Sequence, residues 1–357
     1  MIYPSFKQCI FSKRPGILAF AVGIALLGKA QRNHAPPEHD SSYYNSYREK
    51  LVARIYLSRK YNSVGLEPGD AVIPDMKYKP NSTLNIGIGA TYRSLTINIG
   101  IGITDFNPNN EKGETHYLDL QAHLYTRHWN FDVIGQFYRG YYLTPQGLAA
   151  SEGKSYYVRP DLRIDIGGLA VFRALNEKKF SFQAGLVNNE WQKKSAGSLL
   201  LGGQGIYGSM HGDSTLVPTI IDSSYSAKKI NKLHFLELGP GIGYAYAFIY
   251  KQHYYALASI ATIFNFRYST EIEAGHNAEK IDFSPAFNFH AAIGYNTENW
   301  NLAMIWVGSL FYIRGQASDY RYTFLSGNYR LMYARRFILN RKVKKVLTPI
   351  SEMIDVK

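Results

Sequence analysis

The side chains best suited to chemistry are histidines set among carboxylates. His116, His123 and His128 fall in one short stretch with Asp119 and Asp132. On an extended chain alternate residues share a face, so Asp119 and His123 point the same way. An acid that orients an imidazole is the arrangement general-base and nucleophilic catalysis need. The plainer account is a polar interior that carries such residues in any case. His211, Asp213 and Ser214 also cluster, but neighbouring positions make no triad without a dedicated local fold. No zinc pattern is present, because Cys9 is the only cysteine and His123 and His128 stand five apart across a turn. The run GPGIG at 239–243 lacks the Lys-Ser/Thr and the following helix of a phosphate loop, and reads as a strand bend. Asp161, Arg163 and Asp165 share a face, and Arg93 and Arg267 are expected on the same, inward side. Charges of both signs there either line a pore or brace a closed lumen.

The elements that must position these residues follow from a period of two. In 128–138, Trp129, Phe131, Val133 and Phe137 alternate with Asn130, Asp132 and Gln136, which is one apolar and one polar face of a strand. The pattern recurs at 51–58, 84–90, 95–103, 118–124, 162–166, 180–186, 236–248, 254–260, 283–293, 300–306 and 322–337. Long connections (61–83, 104–115, 139–160, 188–231, 269–280, 315–320) alternate with short ones near 93, 127, 176, 251 and 298. Six long and five short connections require twelve strands with both termini on the short-turn side. Bacterial outer-membrane barrels have that rhythm, with the short turns periplasmic. Residues 195–207 are apolar and Gly-rich enough for a strand, but would make thirteen, so they are assigned to the fourth outer loop. Glycines opposite the isoleucines of 84–103 imply inner space, or the approach of a plug.

Residues 1–30 read as a secretory leader. Lys7, Lys13 and Arg14 precede an apolar run at 17–27, and Gly28-Lys29-Ala30 offers small residues for cleavage near Ala30. Eleven apolar residues are too few to span about 30 Å of hydrocarbon as a helix. Cleavage lowers the net charge from +13 to +9, since only Lys7, Lys13, Arg14 and Lys29 are lost. An exported basic chain points to anionic headgroups or a periplasmic partner rather than nucleic acid. The basic residues gather late, at Arg335, Arg336, Arg341, Lys342, Lys344 and Lys345. Residues 31–48 read as a flexible periplasmic lead-in, 49–337 as the barrel and 338–357 as a basic periplasmic tail.

A soluble β-sandwich also alternates, but its strands average five or six residues. Runs of nine to fifteen suit the roughly 9–11 residues a tilted strand needs to cross a bilayer. The 29 tyrosines suit aromatic girdles at the two interfaces. Tyr141, Tyr142, Tyr156 and Tyr157 bracket the loop at 139–160 and are its candidate contact residues, for a sugar, a lipid or the interface.

The segments 137–144 (FYRGYYLT), 156–162 (YYVRPDL) and 180–203 (FSFQAGLVNNEWQKKSAGSLLLGG) resemble an uncharacterised family of Bacteroidota outer-membrane proteins, filed as a domain of unknown function. KPNSTLNIGIGATYRSL at 79–95 and ELGPGIGYAYAF at 237–248 are similar too, so the resemblance spans roughly 45–337. It implies an outer-membrane barrel and brings no activity or catalytic residues with it.

The sequence therefore predicts an all-β chain, a closed transmembrane antiparallel barrel of about twelve strands in the outer membrane of a Gram-negative bacterium. A pore, or a conduit that binds a solute or lipid, is the first functional expectation. A membrane anchor for an envelope or secretion assembly, using the C-terminal tail on a periplasmic partner, is the alternative, and a lipid-active enzyme the second. No catalytic residue, cofactor or metal ligand is assigned. The expected lumen-lining residues are Arg93, Asp119, His123, Asp161, Arg163, Asp165 and Arg267.

Overall fold

Branched and aromatic residues at every second position favour extended backbone, because they pack well on a pleat and crowd a helical turn. The computed structural model describes residues 39–69, 72–93, 95–103, 110–273, 276–341, 344–345 and 347–349. The expected leader, the first part of the lead-in and much of the tail lie outside the described residues. In chain order the strands are β1 (Tyr44–Ser46), β2 (Lys50–Glu67), β3 (Met76–Lys79), β4 (Leu84–Tyr92), β5 (Leu95–Ile103), β6 (His116–Tyr125), β7 (Trp129–Thr144) and β8 (Val158–Ala174). A short helix α1 (Phe182–Leu186) precedes β9 (Glu190–Gln192) and β10 (Ala196–His211). A second, α2 (Ser223–Ala227), precedes β11 (Lys232–Tyr250), β12 (Tyr254–Glu273), β13 (His276–Asn296), β14 (Trp300–Arg314) and β15 (Arg321–Ile338).

Thirteen strands form one antiparallel sheet. Ten of them close a ring in the order β2, β3, β7, β8, β10, β11, β12, β13, β14, β15, with β15 returning to β2. The hairpin β4–β5 is attached to β2, and β6 to β7. The expected barrel is present, with ten strands in the closed ring and three beside it rather than twelve alike. β3 and β4 descend along β2 as two halves of one strand, interrupted at 80–83, where Pro80 cannot donate to a ladder. The upper half also pairs with β7, while the lower half pairs with β5. Among the described residues no ladder joins β5 to β6.

Outward positions are apolar. Ile99, Leu238, Phe266 and Met304 are each more than half exposed, within a belt of isoleucine, leucine and phenylalanine that encircles the sheet. Water does not tolerate an apolar surface of that extent on a soluble monomer; hydrocarbon does. No helix among the described residues is long and apolar enough to cross a membrane. At the end where β2 begins and β15 finishes, Tyr254, Tyr295, Trp300 and Tyr333 form a chain of ring contacts, as an interfacial girdle would.

Two segments exchange their expected places. Residues 196–211 form a wall strand paired on both sides, with Leu199 and Leu201 outward. Residues 180–186 leave the wall and enter the lumen, where Ser181 caps α1 by accepting from the Ala184 amide at 3.0 Å. The physical reason is that Phe182 and Leu186 satisfy helical spacing as well as strand spacing, and a short apolar run cannot distinguish them. Both faces of the segment are buried, which no lipid-facing strand would be. The outer loop accordingly shrinks to 212–231. Part of the expected flexible lead-in is also structured, because β1 pairs with β9 and Tyr44 is buried against the same luminal segment.

One glycine sets the parity of a strand. Gly140 has φ +92°, and a Cβ there would lie 2.1 Å from the Glu114 carbonyl oxygen. The ladder between β7 and β8 slips at this bulge, so Tyr138 and Tyr141 both point inward.

Candidate functional site

The lumen is polar at mid-height and apolar at the far end, opposite the start of β2 and the close of β15. The polar layer starts from a cross-strand pair, since the β6–β7 register sets His123 opposite Asp132. His123 Nδ1 lies 2.6 Å from Asp132 Oδ1, and the Tyr125 hydroxyl donates to the same oxygen at 3.2 Å. From the opposite wall, His290 of β13 brings Nε2 to 3.4 Å from Asp132 Oδ2, without forming a hydrogen bond. The ring of Phe182, on α1, meets Tyr125 at 6.1 Å and His290 at 6.0 Å. A cavity of about 50 Å³ remains among His123, Asp132, Gln136, Gln204, Asn288 and His290. The Nε2 atoms of both histidines, Gln136 Oε1 and Gln204 Nε2 are buried without a hydrogen-bond partner. Orphaned buried polar atoms are costly and rare, so this group is equipped to hold a polar molecule.

Further bridges cross the interior. Asp119 accepts from Tyr138 at 2.6 Å and Gln136 at 3.1 Å, and meets Lys60 Nζ at 3.3 Å. Gln204 accepts from Asn288 at 2.9 Å, and Asn328 donates to Gln121 at 3.2 Å. Arg267 Nε donates to Glu237 Oε1 at 2.6 Å and Nη1 to Asp282 at 3.3 Å, while Asn265 satisfies the second Glu237 oxygen at 2.8 Å. Burying such an ion set is tolerable only because each member is bonded to others.

Both mouths are filled by the chain itself. At the end where β2 begins and β15 finishes, residues 176–195 run under the barrel as a plug. Arg336 fastens it, donating through Nε and Nη2 to the Asn188 carbonyl at 3.0 and 2.8 Å and through Nη2 to the Glu190 carbonyl at 3.2 Å. Burial pushes the Glu190 carboxyl above the usual glutamate range, against the lowering effect of the Ser181 hydroxyl that donates to it. At the far mouth Leu216, Val217 and Tyr225 descend from 212–231 into the apolar layer. Tyr225 and Tyr322 share a hydrogen bond of 2.8 Å, and Tyr322 donates to Glu271 at 2.6 Å. Tyr320 donates to Asp222 at 3.0 Å. Burial works against ionisation of Asp222, yet donors from Ser224, Tyr225 and Tyr320 hold its carboxyl below the usual range.

The structure sorts the residues singled out in sequence. Asp119, His123 and Arg267 face the lumen, although His123 pairs with Asp132 rather than with Asp119. Arg93 does not line the lumen: it occupies the β4–β5 turn at φ 55° and pairs with Glu49 at 3.0 Å. Asp161, Arg163 and Asp165 are on the opposite face from the one expected. Leu162, Ile164 and Ile166 fill the interior in their stead, and Arg163 and Asp165 pair with each other outside at 2.8 Å. The charges there are paired within the strand, since Arg159 also holds Asp161 at 2.7 Å. Of the loop tyrosines, Tyr141 is buried inside, and Tyr157 packs on the core. Tyr142 and Tyr156 stand together at 5.1 Å with Lys112 over both rings, on the outside. Sequence reasoning did not find His290, Glu237, Arg54 or Arg330. For Glu237 the signal was available, a lone acid at an inward position of an otherwise apolar strand.

A family described as "Domain of unknown function (DUF4421)" matches residues 38–337. A search of curated proteins found no match. Among solved structures, the outer membrane protease OmpT from Escherichia coli aligns at 11% identity and a TM-score of 0.37, covering 82% of this chain and 98% of that one. The COG4313 outer membrane channel from Pseudomonas putida F1 aligns at 10% identity and a TM-score of 0.24, covering 86% and 100%. The toluene transporter TodX of P. putida aligns at 7% and 0.23, covering 82% and 91%. Likeness at this level carries no functional argument.

Proposed function

The chain belongs to the family described as a domain of unknown function (DUF4421), and we propose that it is an outer-membrane conduit, closed at rest, that binds a small polar or amphipathic molecule in its lumen. The short turns and both termini face the periplasm in this reading, after a leader is removed near Ala30. One observation carries it: Asp132 and His290, from opposite walls, approach to 3.4 Å around a polar cavity. A diffusion pore would keep its centre wide, whereas this centre is narrow, bridged and rich in unpartnered polar atoms. A structural stalk would have no use for such atoms and would be filled with apolar side chains instead. Because the plug is held by hydrogen bonds to carbonyls rather than by continuation of the sheet, it can be released without breaking the wall.

Liposome swelling tests the closed state. Vesicles carrying the folded full chain are expected to swell in small sugars no faster than protein-free vesicles. Rapid swelling graded by sugar size would make the protein an open porin and overturn the reading.

A further inference from the structure

Two arginines in the lower lumen have no counter-charge. Arg54 on β2 is 3% exposed. Its Nη2 donates to the Thr91 hydroxyl and to the Val187 carbonyl of the plug at 3.2 Å, while Nε and Nη1 have no partner. Arg330 on β15 lies with its guanidinium 4.8 Å from the centroid of the Tyr56 ring, and its buried Nε has no partner. Among the described residues neither arginine forms an ion pair, the plug's Glu190 is bonded by the Ser181 hydroxyl, and the carboxylates on the inner wall at mid-height are already engaged. Asp119 is held by Lys60, Asp132 by His123 and His290, and Glu237 and Asp282 by Arg267. A buried cation without an anion is strongly disfavoured, so the interior is short of negative charge at this place.

The wall beside the two arginines is open. The edges of β5 and β6 are unpaired with each other, and in hydrocarbon each orphaned backbone group costs several kcal/mol. Near the top the gap is tied, because the Tyr117 hydroxyl reaches Thr83 at 3.1 Å and Asn85 at 3.3 Å, and Asn81 donates to Gly113 at 2.8 Å. Below those ties the inward positions of β5 remain open, with Asn98, Gly100 and Gly102 exposed. Their small size leaves a path to Tyr56, whose ring already covers Gly87. On the other face Ile97, Ile99 and Ile101 lie against the bilayer. One seam thus joins the acyl-chain region to a pair of unpaired guanidinium groups.

We propose that Arg54 and Arg330 bind the phosphate of an anionic lipid, whose chains stay in the bilayer and whose headgroup enters through the seam between β5 and β6. Guanidinium forks match phosphate oxygens in geometry and charge, and the seam supplies the amphipathic route. This rests on reading the lumen as a binding conduit and names its ligand class.

Native mass spectrometry of the full chain in a neutral detergent tests it, with dimyristoylphosphatidylglycerol, dimyristoylglycerol and inorganic phosphate as probes. The wild type should retain the phosphatidylglycerol at least about tenfold better than the uncharged diglyceride. Arg54→Gln with Arg330→Gln should abolish that preference, and Arg54→Lys with Arg330→Lys should keep part of it. Asn98→Trp, which fills the seam but leaves both arginines, should weaken lipid retention and spare inorganic phosphate. Variants are compared only after the heat-dependent shift on electrophoresis shows a folded barrel. Equal retention of the two lipids by wild type, or unchanged retention in the double glutamine variant, overturns the site. Phosphate binding as strong as lipid binding, with Asn98→Trp without effect, makes the ligand a free anion and overturns the seam as its route. A barrel that swells vesicles freely yet keeps the lipid would refute the closed conduit alone, and a closed barrel that keeps no lipid would refute this proposal alone.

Discussion

Asp132 on β7 and His290 on β13 meet at 3.4 Å although their strands stand on opposite sides of the ten-stranded ring. The same carboxylate is held at 2.6 Å by His123 from the neighbouring strand. It therefore joins the two walls at mid-height. Asp132→Ala would leave the Tyr125 hydroxyl and His123 without their acceptor in a water-poor interior. We expect a loss of about 1–3 kcal/mol in unfolding free energy, read from the denaturant midpoint by tryptophan fluorescence. A midpoint equal to wild type would mean that the bridge carries no load.

The bulge at Gly140 gives a second prediction. Its φ of +92° and the 2.1 Å approach of the Glu114 carbonyl to a hypothetical Cβ exclude any side chain without movement of the chain. Gly140→Ala should destabilise the barrel by about 1–3 kcal/mol, the usual scale of local backbone strain. Thermal melting in detergent checks it, and an unshifted transition would show that the bulge relaxes freely.

The seam predicts an exchange pattern. Amides on the free edges of β5 and β6 have no ladder partner among the described residues, whereas β12 is paired on both sides along its length. Hydrogen exchange followed by peptide mass analysis should find 95–103 labelled orders of magnitude faster than 254–273. Equal protection would mean that β5 and β6 pair in the membrane.

Glu190 makes the plug sensitive to pH. Burial raises its folded value above the ordinary one. At pH below the ordinary glutamate value both states hold the proton and folding is unpenalised. As pH rises through the interval up to the raised value, the unfolded chain releases the proton first, and stability falls. Above both values the penalty is constant. Glu190→Gln, which keeps an acceptor for Ser181, should therefore be more stable than wild type at neutral pH and nearly equal to it in acid. Denaturant midpoints at the two pH values decide it, and a difference that does not change with pH would contradict the assignment.

What was legible in the sequence was whatever the period of two controls directly. Ile97, Ile99 and Ile101 face outward, Asp119 and His123 face inward, and the short turns near 93, 127, 251 and 298 join strands as expected, while the one near 176 leads into the plug. What escaped depended on where a strand meets the membrane or leaves the wall. Asp161, Arg163 and Asp165 have outward parity, and the charges there are paired along the strand, Arg163 with Asp165 and Asp161 with Arg159. Tyr141 and Tyr142 exchange faces because one glycine inserts a bulge. The plug was hidden because Phe182 and Leu186 fit two periods at once, so 180–186 was given the wall position that 196–211 occupies. The contact of His290 with Asp132 was beyond reach, since it depends on the width of the closed ring.

In the proposed conduit the lumen is closed by the plug and by the bridges behind it. Single-channel recording in planar bilayers tests it most directly, comparing wild type with Arg336→Ala, which removes the donors to the Asn188 and Glu190 carbonyls. The wild type should stay silent at modest voltage, and the variant should show stepwise, flickering openings as the plug loosens. Steady conduction by wild type, or a folded Arg336→Ala barrel as silent as its parent, would contradict the account.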